Sequence, residues 1–321
     1  MHPKTINSEH INSIIESQLE AWPLASDNFF NLRKAERRKI RLGSLDAAVQ
    51  HNPARIRSTG AAVDAASIAR RPCFLCKSNR PSEQITVDWF DGWELLVNPY
   101  PILPVHFTIA SARHEPQGGI PLDMASMAEA APDLVIFYNG SRAGASAPDH
   151  LHVQGVLKTE LPLPGLAEEH HDPAEGGLKS SEQMDIDVPF HFISAVVTPD
   201  RAGMRTLAHA SNAFGIDVET GKRDKGLVNA FFWIDSRGLL RILIVPRKAH
   251  RPACYNAPES ERMLISPGAI DMTGLVIVPR KEDFDRINEE TLRKIYSEVA
   301  FADALPDEIR QYFGTHLSHH S

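Results

Sequence analysis

The 321-residue chain has only three cysteines, Cys73, Cys76 and Cys254. So small and odd a number in a long chain argues against a disulfide framework. Long apolar runs are also missing. Nothing approaches the roughly 18 residues that a membrane-spanning helix needs, so no membrane partner is expected. The opening Met1-His-Pro-Lys-Thr-Ile-Asn lacks the basic-then-apolar layout of an export signal, and the expected location is the cytoplasm. Basic charge is not in excess either: 34 Lys+Arg stand against 41 Asp+Glu, a formal charge of −7. The cations are scattered, so a nucleic-acid backbone would find no stripe to neutralise it. What is present is ordinary globular material, 42% hydrophobic and 23% charged. That is enough for one large domain or two modest ones whose core needs no staples.

Residues 1–58 read as a helical N-terminal segment: Ile11, Ile14, Ile15, Leu19 and Trp22 recur at helical spacing, and the charged run Arg33 to Arg41 reads as a solvated helix face. The proline-bounded stretch Arg71-Pro-Cys-Phe-Leu-Cys-Lys-Ser-Asn-Arg-Pro reads as a turn or knuckle. Residues 59–160 then carry short strand-like runs at 93–97, 107–110, 134–138 and 150–157, with a helix-compatible stretch at 121–131. A polar segment, 161–188, holds Pro162, Pro164, Pro173, Gly176, Gly177 and the cluster Glu168-Glu-His-His-Asp. It reads as a linker or lid in which His170 and His171 are solvated.

Residues 189–321 repeat the order, with strands at 192–197, 228–234, 239–245 and 275–278, a helix at about 199–214, and helices toward the end. Locally, Phe107 to His114 is echoed by Leu243 to His250, and Ala147 to Gln154 more faintly by Ala269 to Val276. The expectation is a duplicated α+β unit, one half active and the other degenerate, having lost both histidines.

The chemistry concentrates in Phe137-Tyr-Asn-Gly-Ser-Arg-Ala-Gly-Ala-Ser-Ala-Pro-Asp-His-Leu-His-Val-Gln154. On an extended segment His150, His152 and Gln154 project from one face, about 7 Å apart. Before them, Gly140, Ser141, Gly144, Ala145 and Ser146 are small enough for backbone N–H groups and hydroxyls to approach an anion, and Arg142 adds a cation. A phosphate cradle beside a row of imidazoles points to attack on phosphorus. Imidazole, with its ordinary pKa of about 6.5, is mostly unprotonated at neutral pH, and a phosphoramidate to histidine is labile enough to pass the group onward.

Asn139, the Gly144-Ala-Ser146 loop and the H-x-H-x-Q string His150-Leu-His152-Val-Gln154 resemble the histidine-triad (HIT-like) superfamily. The likeness is to its transferase branch of galactose-1-phosphate uridylyltransferase, diadenosine tetraphosphate phosphorylase and GDP-hexose phosphorylases. Motif-level support covers residues 70–160, with a weaker likeness at 225–290. The resemblance implies an α+β, HIT-like fold of two antiparallel-sheet halves flanked by helices, with His152 as the nucleophile that takes a nucleoside monophosphate. Glutamine at 154, where the hydrolases carry histidine, favours transfer: an amide can hold a phosphoryl oxygen but cannot supply a proton. The implied substrates are a nucleotide sugar or dinucleoside polyphosphate, with phosphate or a sugar phosphate as acceptor. Asn139, Ser146 and Gln154 would bind the non-bridging oxygens.

The resemblance to the uridylyltransferases also implies a structural zinc held by Cys73, Cys76, His114 and His150, with His106 competing for the third place. Arg247, Lys248, His250, Arg251, Arg280 and Lys281 follow strands and are candidates to meet a phosphorylated substrate, and Asp271 a sugar hydroxyl. Three alternatives stay open: a hydrolase using the same histidine, a non-catalytic nucleotide-binding protein, and a zinc-stabilised structural protein. An exposed strand edge in the degenerate half would make a homodimer reasonable.

Overall fold

The short apolar runs read above as strands are buried on both faces, and a computed structural model shows all of them except 275–278 joined in a single sheet. It describes residues 4–172, 174 and 177–314; Pro173 and Gly176 of the expected linker lie outside these. The strands are β1 (Arg37–Leu42), β2 (Leu45–His51), β3 (Val87–Phe90), β4 (Trp93–Val97), β5 (His106–Ser111), β6 (Leu134–Asn139), β7 (His152–Leu157), β8 (Gly177–Ser180), β9 (Ile193–Val197), β10 (Gly215–Ile216), β11 (Arg223–Asp224), β12 (Val228–Ile234), β13 (Leu240–Pro246) and β14 (Leu275–Val278). The helices are α1 (Ser8–Ala21), α2 (Pro23–Leu32), α3 (Ile56–Thr59), α4 (Ala65–Ala69), α5 (Asp123–Ala130), α6 (Pro162–His170), α7 (Arg201–Ala210), α8 (Lys281–Arg286), α9 (Glu289–Val299) and α10 (Asp307–Gly314).

Nine strands form an antiparallel sheet in the order β3-β4-β5-β7-β6-β12-β13-β9-β8. Two runs of the same topology meet in it. The series β4-β5-α5-β6-β7 lies in spatial order β4-β5-β7-β6, and β8-β9-α7-β12-β13 lies as β8-β9-β13-β12. They join edge to edge where Asn139 of β6 pairs with Asn229 of β12. In this repeat β13 holds the place of β7, and β9 that of β5. The sequence echoes therefore match non-equivalent strands, since each reflects only the apolar run of a strand buried on both faces. β14 leaves the large sheet altogether and runs parallel to β2 in a second sheet, β1-β2-β14.

The helical reading ends at Leu32. Asn7 caps α1 by accepting from the His10 amide, and Pro23 opens α2. The charged run beyond is strand β1, not helix. Its side chains alternate between more and less exposed positions on an edge strand, where charge blocks unwanted pairing. Arg38 instead reaches the Phe284 and Ile287 carbonyls at the end of α8. The stretch read as a linker contains α6 and the edge strand β8. His171 is buried there, with Nδ1 2.9 Å from Ser194 Oγ, and is not solvated; His170 is exposed.

The large sheet has a core on each face. One packs α1, α5, α7 and α10 against it; the other lies between it and the small sheet with α6 and α9. On this second side Phe137 and its cross-strand partner Gln154 face a cavity beneath β14.

Candidate active site

β6 and β7 pair from Leu134/Leu157 to Phe137/Gln154 and then part. In the gap lies the side-chain amide of Gln117, which acts as a surrogate strand. Its Oε1 accepts from the His152 backbone N–H (3.0 Å), and its Nε2 donates to the carbonyls of His152 (3.1 Å) and Asn139 (2.8 Å). The split opens the sheet where His152 and Asn139 reach the cavity wall.

His152 is buried, and its Nδ1 lies 2.8 Å from the carbonyl of His150. A carbonyl only accepts, so Nδ1 carries the proton and the lone pair sits on Nε2. Burial pulls the His152 pKa down to about 4, so the ring is neutral at pH 7. His152 and Gln154 line a cavity of about 740 Å³ together with Asn139, Gly144, Ala145 and Ser146. Asn139 Oδ1 is committed to the second half, accepting from Ala269 N (2.7 Å) and Asn229 Nδ2 (3.2 Å). Its Nδ2 makes no hydrogen bond among the described residues. Gly144 is required by position: its φ is +98°, and a Cβ there would lie 2.4 Å from Gly268 Cα.

The expected row of three is broken. His150 precedes β7, and its ring turns away from the cavity to the cysteines. Ser141 and Arg142 do not line the cavity. Arg142 is held by Asp217 (2.5 Å) and Asp224 (2.8 Å), which neutralise it, and Ser141 packs beside Gly226. Arg247 is a fully buried strut, and Arg280 and Lys281 pair with acidic neighbours at α8, so none of these three reaches the cavity.

Of the remaining candidates His250 and Arg251 do line the cavity, and two cations that the sequence did not indicate, Arg55 and Arg57, stand there with them. Arg55 and Arg57 come from the segment after β2, and Arg251 from the loop after β13. None of the three forms an ion pair among the described residues. Arg55 donates to Tyr100 O (2.8 Å) and Ser58 Oγ (2.9 Å), and Arg251 to Ala61 O (2.8 Å) and Ser266 Oγ (3.1 Å). Arg55 and Arg57 sit in no recognisable pattern, so the sequence held no signal for them. Asp271 also lines the cavity, with burial raising its pKa to about 6 and its oxygens accepting from Gly268 N and Ile277 N. Apolar wall comes from Trp22, Phe74, Tyr100, Ile102 and Phe137.

Beside the cavity Cys73, Cys76, His114 and His150 converge, each offering a ligand atom within 4.8 Å of the others. The His150 Nδ1 lies 3.3 Å from Cys73 Sγ and 3.6 Å from Cys76 Sγ, and His114 Nδ1 3.3 Å from Cys76 Sγ. A tetrahedral ion with bonds of about 2.3 Å to sulfur and 2.0–2.1 Å to nitrogen has S···N edges of about 3.5 Å, so the donor set fits one. His150 Nε2 donates to the Ser111 carbonyl (2.8 Å), which leaves Nδ1 as the ligand atom. His106 is not part of this group; it lies against Gln154.

Two further buried imidazoles, besides His152, bear on acid stability. Burial, with nearby arginines, pulls His106 and His250 down to about 3, from about 6.5 in an unfolded chain. The unfolded state therefore binds more protons between these values. The stabilisation is fully present above about pH 6.5 and is lost as pH falls toward 3, each group contributing a slope of up to about 1.4 kcal/mol per pH unit. Urea midpoints are expected to fall from pH 7 to pH 5, and His106→Phe or His250→Phe to flatten that dependence.

Residues 14–157, less than half of the chain, match the domain of unknown function DUF4922. No curated protein matches. Among solved structures, the fold is similar to that of yeast Ap4A phosphorylase Apa2 at 16% identity. The free enzyme superimposes with a TM-score of 0.55 over 88% of this chain and 97% of that one. Its complex with AMP gives 0.57 (90% and 98%), and its complex with Ap4A 0.54 (87% and 97%). The likeness shows a shared architecture, α+β with a large antiparallel sheet flanked by helices. Among the described residues no helix is long and apolar enough to cross a membrane.

Proposed function

We propose that the chain is a nucleotidyltransferase of the phosphorylase type acting on dinucleoside polyphosphates. His152 Nε2 attacks an α-phosphorus; a P–N bond forms, the P–O anhydride bond breaks, and the remaining nucleotide leaves with the electron pair. Inorganic phosphate then attacks the nucleotidyl-histidine, takes the nucleoside monophosphate as a nucleoside diphosphate, and restores the neutral ring. Gln154 donates to a non-bridging oxygen, as do the Asn139 amide and the Ser146 hydroxyl, where charge builds in the transition state. The observation that carries this reading is a buried imidazole with its proton engaged at Nδ1, beside a nucleotide-sized cavity. Arg55, Arg57 and Arg251, all lining this cavity, suit a chain of several phosphates better than the two of a nucleotide sugar. The shared fold with an Ap4A phosphorylase adds support.

Intact-mass measurement after exposure to dinucleoside polyphosphates and nucleotide sugars tests it. One nucleoside monophosphate adduct should accumulate without phosphate and discharge when phosphate is added. An adduct only from nucleotide sugars would reassign the substrate, and turnover in water unaffected by phosphate would make the protein a hydrolase.

We further propose that Cys73, Cys76, His114 and His150 hold zinc in a closed, four-ligand site. By clamping His150 it fixes the carbonyl against which the His152 Nδ1 proton is held. Metal analysis is expected to find about one zinc per chain, lost in Cys73→Ser/Cys76→Ser, with a lower thermal midpoint. A metal-free protein of unchanged midpoint would refute the site.

A further inference from the structure

Gln154 can serve a phosphoryl group only with its amide turned one way. The NH2 end donates to an anionic oxygen, whereas the carbonyl end would repel it. A free glutamine side chain interconverts these two states by a half-turn about its last bond, so something must select one.

That selector lies across the strand pair. β5 runs beside β7 with Thr108 opposite Gln154, and His106, two residues earlier, lies behind the glutamine with a fully buried ring. The Ile102 backbone N–H donates to His106 Nδ1 at 3.1 Å, so Nδ1 carries no proton and Nε2 does. That Nε2–H donates to Gln154 Oε1 at 2.8 Å. Only the carbonyl oxygen can accept there, which turns the NH2 group away from His106. The ring is held from behind by Phe137, their centroids 6.4 Å apart. Nothing else among the described hydrogen bonds engages the Gln154 amide. The proposed reaction gives His106 no other part to play, since it neither lines the cavity nor belongs to the Cys/His cluster.

We propose that His106 is a positioning residue, and that the relay from Ile102 N–H through its imidazole to Gln154 Oε1 fixes the polarity of the amide presented to the phosphoryl group. The proposal rests on the reading of His152 and Gln154 given above. The relay works with a neutral ring, and its two ends are a backbone amide and a carbonyl oxygen, so no proton moves along it. Its contribution is to remove a conformational choice before the transition state forms, the kind of preorganisation that oxyanion donors require.

A double-mutant cycle separates this from a general packing role. The rate of nucleotidyl-enzyme formation from a dinucleoside polyphosphate is followed in single turnovers by intact mass, in the unsubstituted protein, His106→Phe, Gln154→Ala and the double variant. His106→Phe is expected to slow the step by about 10–100-fold, while the substrate Kd changes less than about threefold. In the Gln154→Ala background the same substitution should slow it no further, because the group through which it acts is gone. His106→Gln, which returns a donor near the Nε2 position, should recover most of the rate. If the two losses multiply, or if His106→Phe is as fast as the unsubstituted protein, the positioning role is overturned. Should phenylalanine at 106 prevent folding, His106→Leu enters the same cycle with the same criteria. An unsubstituted protein that forms no adduct overturns the nucleotidyl-transfer reading and this role with it; an adduct with multiplying losses overturns this role alone.

Discussion

Substitution of His152 by asparagine is expected to lower turnover of a dinucleoside polyphosphate by at least about 10³-fold and to abolish the adduct. Asparagine is smaller and polar, and its Nδ2 can still donate to the His150 carbonyl that now holds Nδ1, so the turn at the head of β7 is retained. The backbone of residue 152 is meanwhile fixed by Gln117, which is indifferent to the side chain there. Substrate binding should persist, with a Kd within a few-fold, because the cavity's guanidinium groups and apolar wall are untouched. The loss then falls on the chemical step. Residual turnover within tenfold of the unsubstituted protein would remove His152 from the nucleophile's place.

A second large effect is expected away from the phosphoryl site. Arg247, at the end of β13, is fully buried, and its guanidinium binds no carboxylate directly among the described residues. It donates to the Val299 carbonyl (3.0 Å), Asn229 Oδ1 (2.7 Å) and the Pro267 carbonyl (3.1 Å), with longer contacts to Ala249 and His250. Burial lowers its pKa to about 10, which still leaves it charged at neutral pH. Arg247→Met fills much of the space but strands these acceptors in a dry interior. The expected loss is about 3–5 kcal/mol, read as a lower denaturant midpoint at unchanged m. Arg247→Lys should recover little, since one ammonium cannot span a planar fork's directions. A loss under about 1 kcal/mol would show that water satisfies the acceptors. Asn229 and the Pro267–Ala269 turn both adjoin Asn139, so a partly folded variant should also bind nucleotide more weakly.

Much of the large sheet was legible because its strands are short apolar runs separated by turn residues: β4 and β12 fall on the expected residues, β6 and β9 within one residue at one end, and β14 of the small sheet was as plain. Where the reading failed, a local pattern carried two meanings. Arg37 to Leu42 has the charge density of a solvated helix but alternates in exposure as an edge strand, a difference that appears only once its partner β2 is known. The polar, proline-rich stretch after residue 160 hid α6, whose prolines fall in its first turn, where they are tolerated. Around His152, the small loop and H-x-H-x-Q lie close in sequence and reach the cavity together, apart from His150, which the cysteines claim. Arg142 looked available from its neighbours, yet Asp217 and Asp224, far along the chain, engage it. Gln117 and Arg55 act through side chains whose partners are distant in the chain, and no spacing rule points to them.

The seam between β6 and β12 also sets a stoichiometry. The topology occurs twice, but the strand standing in for β7, Leu240-Arg-Ile-Leu-Ile-Val-Pro246, carries no imidazole. The second copy instead lends its turn at Gly268 and Ala269 as a wall to the first. With the proposed nucleophile in one copy only, a burst experiment on this doubled scaffold should saturate at one equivalent per polypeptide. The halves, each missing what the other supplies, should recover function only when mixed and never separately.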